Sequence, residues 1–254
     1  MSTVTKASPV KAEPFENSCA NAEGLTASGE FDRLLAQGTA GRKAGDHGGA
    51  LYFFMKAAEL KPTHNAARLE MAQSLVDLQR PNEAERIYCN ILAIEPDCAA
   101  ALIGMAHIDR ERGNHERSCK WLGIASVAVP ENLDIQAELA AEFLALSQYE
   151  QSELVYCKIL ETDPFHSSGL MGFGMALRRR GRRSEALSIF KNLLVSNPNS
   201  VSLLHEMARS LVDMWTLDEA REVYRQILEL QPEDQCALSE FDRLTEVTRF
   251  LVAS

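Results

Sequence analysis

An all-α array of stacked helix pairs, an α-solenoid, is the fold this sequence predicts. Three observations predict it. The stretch Glu70–Asp77 reads EMAQSLVD and Glu206–Asp213 reads EMARSLVD, so one octapeptide is written twice at a spacing of 136 residues. Prolines fall at Pro62, Pro96, Pro130, Pro164, Pro198 and Pro232, each 34 residues after the last, and 136 is four such periods. Within each period the apolar residues recur at spacings of three and four, which marks one face of a helix, and no period-2 alternation competes.

Setting each proline at position 32 gives six units, 31–64, 65–98, 99–132, 133–166, 167–200 and 201–234. The first half of each is apolar at positions 4, 7, 8 and 11, as in Leu204, Met207, Ala208 and Leu211. Position 20 is small throughout: Ala50, Ala84, Ser118, Ser152, Ala186 and Ala220. Position 24 is Phe54, Tyr88, Leu122, Tyr156, Phe190 and Tyr224. Two amphipathic helices per unit follow, with small residues at 8 and 20 allowing close approach and the position-24 side chain filling the space beside them. Gly45, Gly113 and Gly181 at position 15 read as breaks between the two helices. The proline ends the second helix, because it lacks a donor and clashes with the preceding turn.

A unit of this kind cannot bury its own apolar face, but stacked neighbours can. Residues 235–254 read as a capping helix, with Leu238, Phe241, Leu244 and Val247 on one stripe and Asp242, Arg243, Glu246 and Arg249 on the polar side. Residues 1–30 carry no helical stripe and read as a disordered arm. The start lacks the apolar region of a secretory signal, and no apolar run reaches membrane-spanning length, so the expectation is a cytoplasmic protein without membrane insertion. The six cysteines form no C-x-x-C pair and the six histidines no H-E-x-x-H, so the reading is reduced cysteines used as small apolar residues, with no metal and no cofactor.

Small residues at 8 and 20, an aromatic at 24 and proline at 32 closely resemble the tetratricopeptide repeat, over residues 31 to about 234. The resemblance implies a right-handed α-solenoid of six 34-residue helix-turn-helix repeats with a C-terminal cap. The common Trp at position 4 is absent, and Leu75, Phe143, Leu177 and Leu211 stand where Tyr is common at 11. It also implies a protein-interaction module that holds a peptide or protein partner in a concave groove lined by the first helices. The acidic-tail clamp of chaperone-binding members is not matched: its positions hold Leu35, Thr39, Glu70, Ala100 and Gly104.

On that groove side the candidate contacts are Glu70, Gln73, Asp77, His107, Glu111, Glu138, Met171, Met175, Arg178, Arg179, His205, Glu206, Arg209 and Asp213, with Arg110, Asp134 and Ala141 beside them. Glu70 and Glu206 share position 6, and Asp77 and Asp213 share position 13, where packing does not dictate residue type. They read either as equivalent acidic contacts for a basic ligand, or as duplicated carboxylates that are solvated or paired to a neighbouring repeat. Met171 and Met175 give an adaptable apolar spot or pack against the next repeat.

Charge is uneven: repeat 5 carries +5, and its neighbours −6 and −5. The run Arg178-Arg179-Arg180-Gly181-Arg182-Arg183 sits at the inter-helix turn, as a site for an acidic protein segment or as a turn paired across repeats. Nucleic acid is disfavoured, because the array is acidic and no aromatic platform interleaves with the arginines. No nucleophile–base pair, phosphate loop or metal spacing appears, so the expectation is a non-enzymatic scaffold or adaptor of unknown oligomeric state. The alternatives are a targeting or regulatory arm for a separate glycosyltransferase or methyltransferase, and an assembly factor for a secretion or cell-surface machine.

Overall fold

A computed structural model describes residues 17–253, with side-chain surroundings for residues 28–249. Among the described residues the fold is all-α and of the helical-repeat solenoid class. The helices are α1 (Asn17–Lys43), α2 (His47–Leu60), α3 (Asn65–Asp77), α4 (Pro81–Leu92), α5 (Ala99–Glu111), α6 (His115–Ala128), α7 (Leu133–Ala145), α8 (Tyr149–Thr162), α9 (Ser167–Arg179), α10 (Arg183–Ser196), α11 (Val201–Asp213), α12 (Leu217–Leu230) and α13 (Gln235–Ala253). The chain divides into two compact units, Met1–Ile94 with α1–α4 and Glu95–Ser254 with α5–α13.

One element departs from the expected arm. The helix preceding Lys43 begins at Asn17, so residues 17–30 are helical, while the remainder of the arm, 1–16, lies outside the described residues. Ala20, Ala22, Glu23 and Leu25 are good helix formers, so propensity supports the helix where an apolar stripe does not.

Local chemistry sets the helix ends. The Asp46 carboxylate accepts from the Gly49 amide at 2.8 Å and caps α2. Asn132 caps α7 through the Asp134 and Ile135 amides. His166 Nδ1 accepts from Gly169 at 3.0 Å and caps α9. The turn between the two helices of every repeat passes through a left-handed residue at position 15. In the odd repeats this is Gly45, Gly113 and Gly181; in the even repeats it is Gln79, Ser147 and Trp215, with φ near 60°. Glycine adopts that conformation without the Cβ clash that the other three tolerate.

In the first unit Phe31, Ala57 and Ala67 are buried together, with Leu34 and Leu35 packed against them. In the second, Ala137, Ala140, Tyr156, Ile159 and Ala176 join α7, α8 and α9. Leu204, Ala208, Leu211, Tyr224, Ile227 and Leu244 join α11 and α12 to the cap. The position-20 residues are all fully buried, as a close helix–helix crossing requires. Ser152 at this position satisfies its hydroxyl by donating to the Ala140 carbonyl at 2.8 Å.

Candidate functional site

The polar face of the first helices carries an ordered set of ion pairs. Arginine occupies position 12 in the odd repeats, Arg42, Arg110 and Arg178, and glutamate occupies position 6 in the even repeats, Glu70, Glu138 and Glu206. Each arginine reaches the glutamate of the following repeat: Arg42 to Glu70 at 3.0 Å, Arg110 to Glu138 at 2.9 Å and Arg178 to Glu206 at 3.4 Å. The period of this device is two repeats. Odd repeats 3 and 5 have Gly104 and Gly172 at position 6, and even repeats have Val76, Leu144 and Val212 at position 12.

In the first unit, His47 lies 3.3 Å from Asp77, and Gln73 donates to the same carboxylate at 3.2 Å. Burial, aided by Asp77 and Glu70, pushes the Tyr88 hydroxyl up to about 12. In the second unit, Arg110 also binds Glu142, which is buried and accepts from His115 at 2.8 Å. His107 lies 2.7 Å from Glu138. Burial alone would raise the Glu138 carboxyl, but His107 and Arg110 outweigh it and hold it below its ordinary value. Arg178 is bound by Glu206 and by Asp213 at 2.9 Å, and Arg209 joins Glu206 at 2.7 Å. His205 pairs with Asp234 at 2.9 Å.

Between the Arg110–Glu138 and Arg178–Glu206 pairs lies a cleft of about 520 Å³, bounded by α7 and α9 and floored by α8. Its sides are Asp134, Glu138 and Ala141 of α7 and Ser168, Met171 and Met175 of α9. Its floor is Ala137, Gly172 and the Tyr156 ring. Gly172 is decisive. A Cβ built there would stand 2.1 Å from Tyr156 Cζ and 2.3 Å from its hydroxyl, so only glycine lets α9 lie over that ring. Tyr156 is buried, its hydroxyl donates to the Ala137 carbonyl at 3.3 Å, and burial raises its pKa. The result is a slot with a flat apolar floor, two flexible thioethers on one wall and carboxylates on the other.

The arginine run separates into bound and unbound members. Arg178 is tied to α11. Arg180 reaches Glu150 at 3.5 Å and Glu153 at 2.5 Å. Arg182 reaches Glu153 at 2.8 Å and Glu185 at 2.7 Å. Arg179 and Arg183 are exposed, with no partner among the described residues.

The sequence-derived candidates are thus distributed over several settings. Glu138, Met171 and Met175 meet in the cleft. Glu70, Asp77, Glu206 and Asp213 each pair with the preceding repeat. Glu111 is exposed. Asp134 and Ala141, which the sequence already placed on this side, line it too, and Gly172, Tyr156 and Ser168 complete it from outside the candidate set. The signal for them was in the sequence: Tyr88, Tyr156 and Tyr224 occupy position 24 in even repeats only, and glycine follows at position 6 of repeats 3 and 5.

A Tetratricopeptide repeat family model matches residues 42–108. The human Protein O-mannosyl-transferase TMTC1 is 23% identical over 166 residues, 63% of this chain and 19% of that protein, so the chain spans about a fifth of its length. Among solved structures, Pseudomonas aeruginosa pilF superposes with a TM-score of 0.71 at 18% identity, covering 87% of this chain and 99% of its own. YrrB, described as a TPR protein with an unusual peptide-binding site, superposes with a TM-score of 0.56 at 20% identity, covering 73% of this chain and 96% of its own. Repeat register, helix pairing and the family model over residues 42–108 agree: the chain has the fold of a tetratricopeptide repeat solenoid.

Proposed function

We propose that this chain is a non-enzymatic adaptor whose α7/α9 cleft receives an apolar side chain from an extended segment of a partner protein. Repeat proteins of this family serve as protein-interaction scaffolds, and the cleft supplies this one with a specific point of engagement. The observation that carries the proposal is the Gly172–Tyr156 contact. It creates an apolar floor between two helices whose neighbouring interfaces are closed by arginine–glutamate pairs. Methionine walls adapt to more than one side-chain shape. A cytoplasmic location is part of the same proposal and is checked by cell fractionation.

The test is binding of peptide arrays to the full chain and to Ala141→Trp, which fills the cleft from an exposed position. Peptides with one large apolar residue should bind the unmodified chain and be lost with the variant. Equal binding by both would remove the cleft from the reading.

A second reading has one observation in its favour. The human relative is named a transferase and is about five times longer than the matched region, so the chain could equally serve as the interaction arm of a separate glycosyltransferase. Stable co-purification of a transferase, retained in Ala141→Trp, would favour it.

A further inference from the structure

Resting on that cleft, we infer that the bound segment is bipolar: a basic residue, then an apolar one, then an acidic residue about five positions from the first. The charges along the cleft select this chemistry. Glu138 is engaged by His107 and Arg110, and Arg178 is engaged by Glu206 and Asp213, so neither is free to set a ligand's charge. Two charged groups remain at the ends. Asp134, at the start of α7, is 78% exposed and faces the His166 ring at 3.3 Å. Arg179, at the end of α9, is exposed and has no partner among the described residues.

Both belong to the faces that wall the cleft. Met171, Met175 and Arg179 follow one another at intervals of four residues, which places them on one stripe of α9. Asp134, Glu138 and Ala141 form the facing stripe of α7. Ser168 stands at the Asp134 end of the cleft, and Arg179 lies eleven residues further along α9. At 1.5 Å per residue that is about 16 Å, which an extended chain covers in about five residues at ~3.3 Å each. A cation at Asp134, an aliphatic side chain between the methionines over Tyr156, and a carboxylate at Arg179 therefore fit one short extended segment. Complementary end charges fix its register and reject like-charged segments more than they add affinity.

The experiment is fluorescence anisotropy of the full chain with four labelled, amidated hexapeptides sharing a central leucine: Lys-Ser-Leu-Ser-Ser-Glu, and the same peptide with Glu at both ends, Lys at both ends, or Gln at both ends. The unmodified chain should prefer the bipolar peptide by about threefold to fivefold per matched end at low salt, the range expected for exposed pairs, and the preference should shrink as salt rises. Arg179→Glu should move the preference to the peptide with Lys at both ends, and Asp134→Lys to the one with Glu at both ends. Both residues are exposed, and unchanged circular dichroism establishes that the variants fold. Ala141→Trp should abolish binding of all four. If Ala141→Trp abolishes binding but the four peptides rank alike in every other protein, the bipolar inference is overturned and the cleft stands. If the peptides bind Ala141→Trp as they bind the unmodified chain, or none binds the unmodified chain at millimolar concentration, the cleft itself is rejected and the inference falls with it.

Discussion

Arg178 of α9 is held between Glu206 and Asp213 of α11, 3.4 Å from the first and 2.9 Å from the second, with its side chain 9% exposed and that of Glu206 5% exposed. The two carboxylates of the second octapeptide therefore serve one arginine of the repeat before it. In the first octapeptide, Glu70 serves Arg42, while Asp77 faces His47.

Burial makes Arg178 unlike the other arginines of its run. Removing it strips the buried Glu206 carboxylate of one of its two arginines, and breaking a buried pair costs up to about 3–5 kcal/mol. Arg178→Ala should show a loss near that size in urea denaturation. Arg182→Ala should lose much less, because Arg182 and Glu185 are exposed and screened. Equal losses in the two variants would contradict this assignment of burial.

The left-handed turn residues give a second expectation. Gln79 has φ 60° and is exposed. The Cβ penalty in this conformation is about 1–2 kcal/mol, and glycine's extra chain entropy costs ~0.5–1 kcal/mol. Gln79→Gly should therefore stabilise the chain by up to about 1 kcal/mol. Gly113→Ala should do the reverse by a similar amount, although its new Cβ would meet nothing within 4 Å. Thermal denaturation of the two variants decides the point: a fall in Tm for Gln79→Gly would mean that the glutamine makes a contact outweighing its strain.

Helix pairing and repeat register were legible because they rest on the 34-residue spacing of prolines and small residues, which packing enforces in every unit. The ion pairs flanking the cleft were harder to read because they recur at a period of 68. Arg42, Arg110 and Arg178 recur at that spacing, as do Glu70, Glu138 and Glu206. Averaging over single repeats hides both sets, since alternate repeats carry Val, Leu, Gly or Ala in their place. Asp109 shows a different limit. It occupies position 11, where the other second-unit repeats have Phe143, Leu177 and Leu211, and it is buried. Trp121 donates to it at 2.9 Å from twelve residues away, and Arg117 lies 3.4 Å off. Nothing in the local pattern announces such a partner, because it is supplied by the second helix of the same repeat. The helix over 17–30 was missed for a related reason: it lacks the stripe by which the others were recognised.

Glu138 gives the α7 interface a pH dependence of definite sign. Its folded carboxyl lies below the ordinary 4.5 because His107 and Arg110 outweigh burial. A group depressed in this way contributes stability that is complete above the unfolded value and is lost as pH falls through the folded one. The stability difference between the unmodified chain and Glu138→Gln should thus shrink as pH falls below 4.5. Urea midpoints at pH 5, 4 and 3 measure it, and a difference that grew over this range would reverse the assigned direction.

Gly172 and Tyr156 should be energetically coupled. The Cβ of Gly172→Ala would overlap the buried ring, so the ring or α9 must move, and overpacking of this kind costs about 1–3 kcal/mol. Tyr156→Leu alone should also destabilise, through lost packing and the lost hydrogen bond to Ala137. Together the two changes should cost less than their sum by about 1 kcal/mol, because the smaller side chain yields the space that the alanine needs. A double-mutant cycle in urea reads this directly. Additive losses would mean that α9 already has freedom to rise from the ring, and then the floor of the cleft would not be set by this contact.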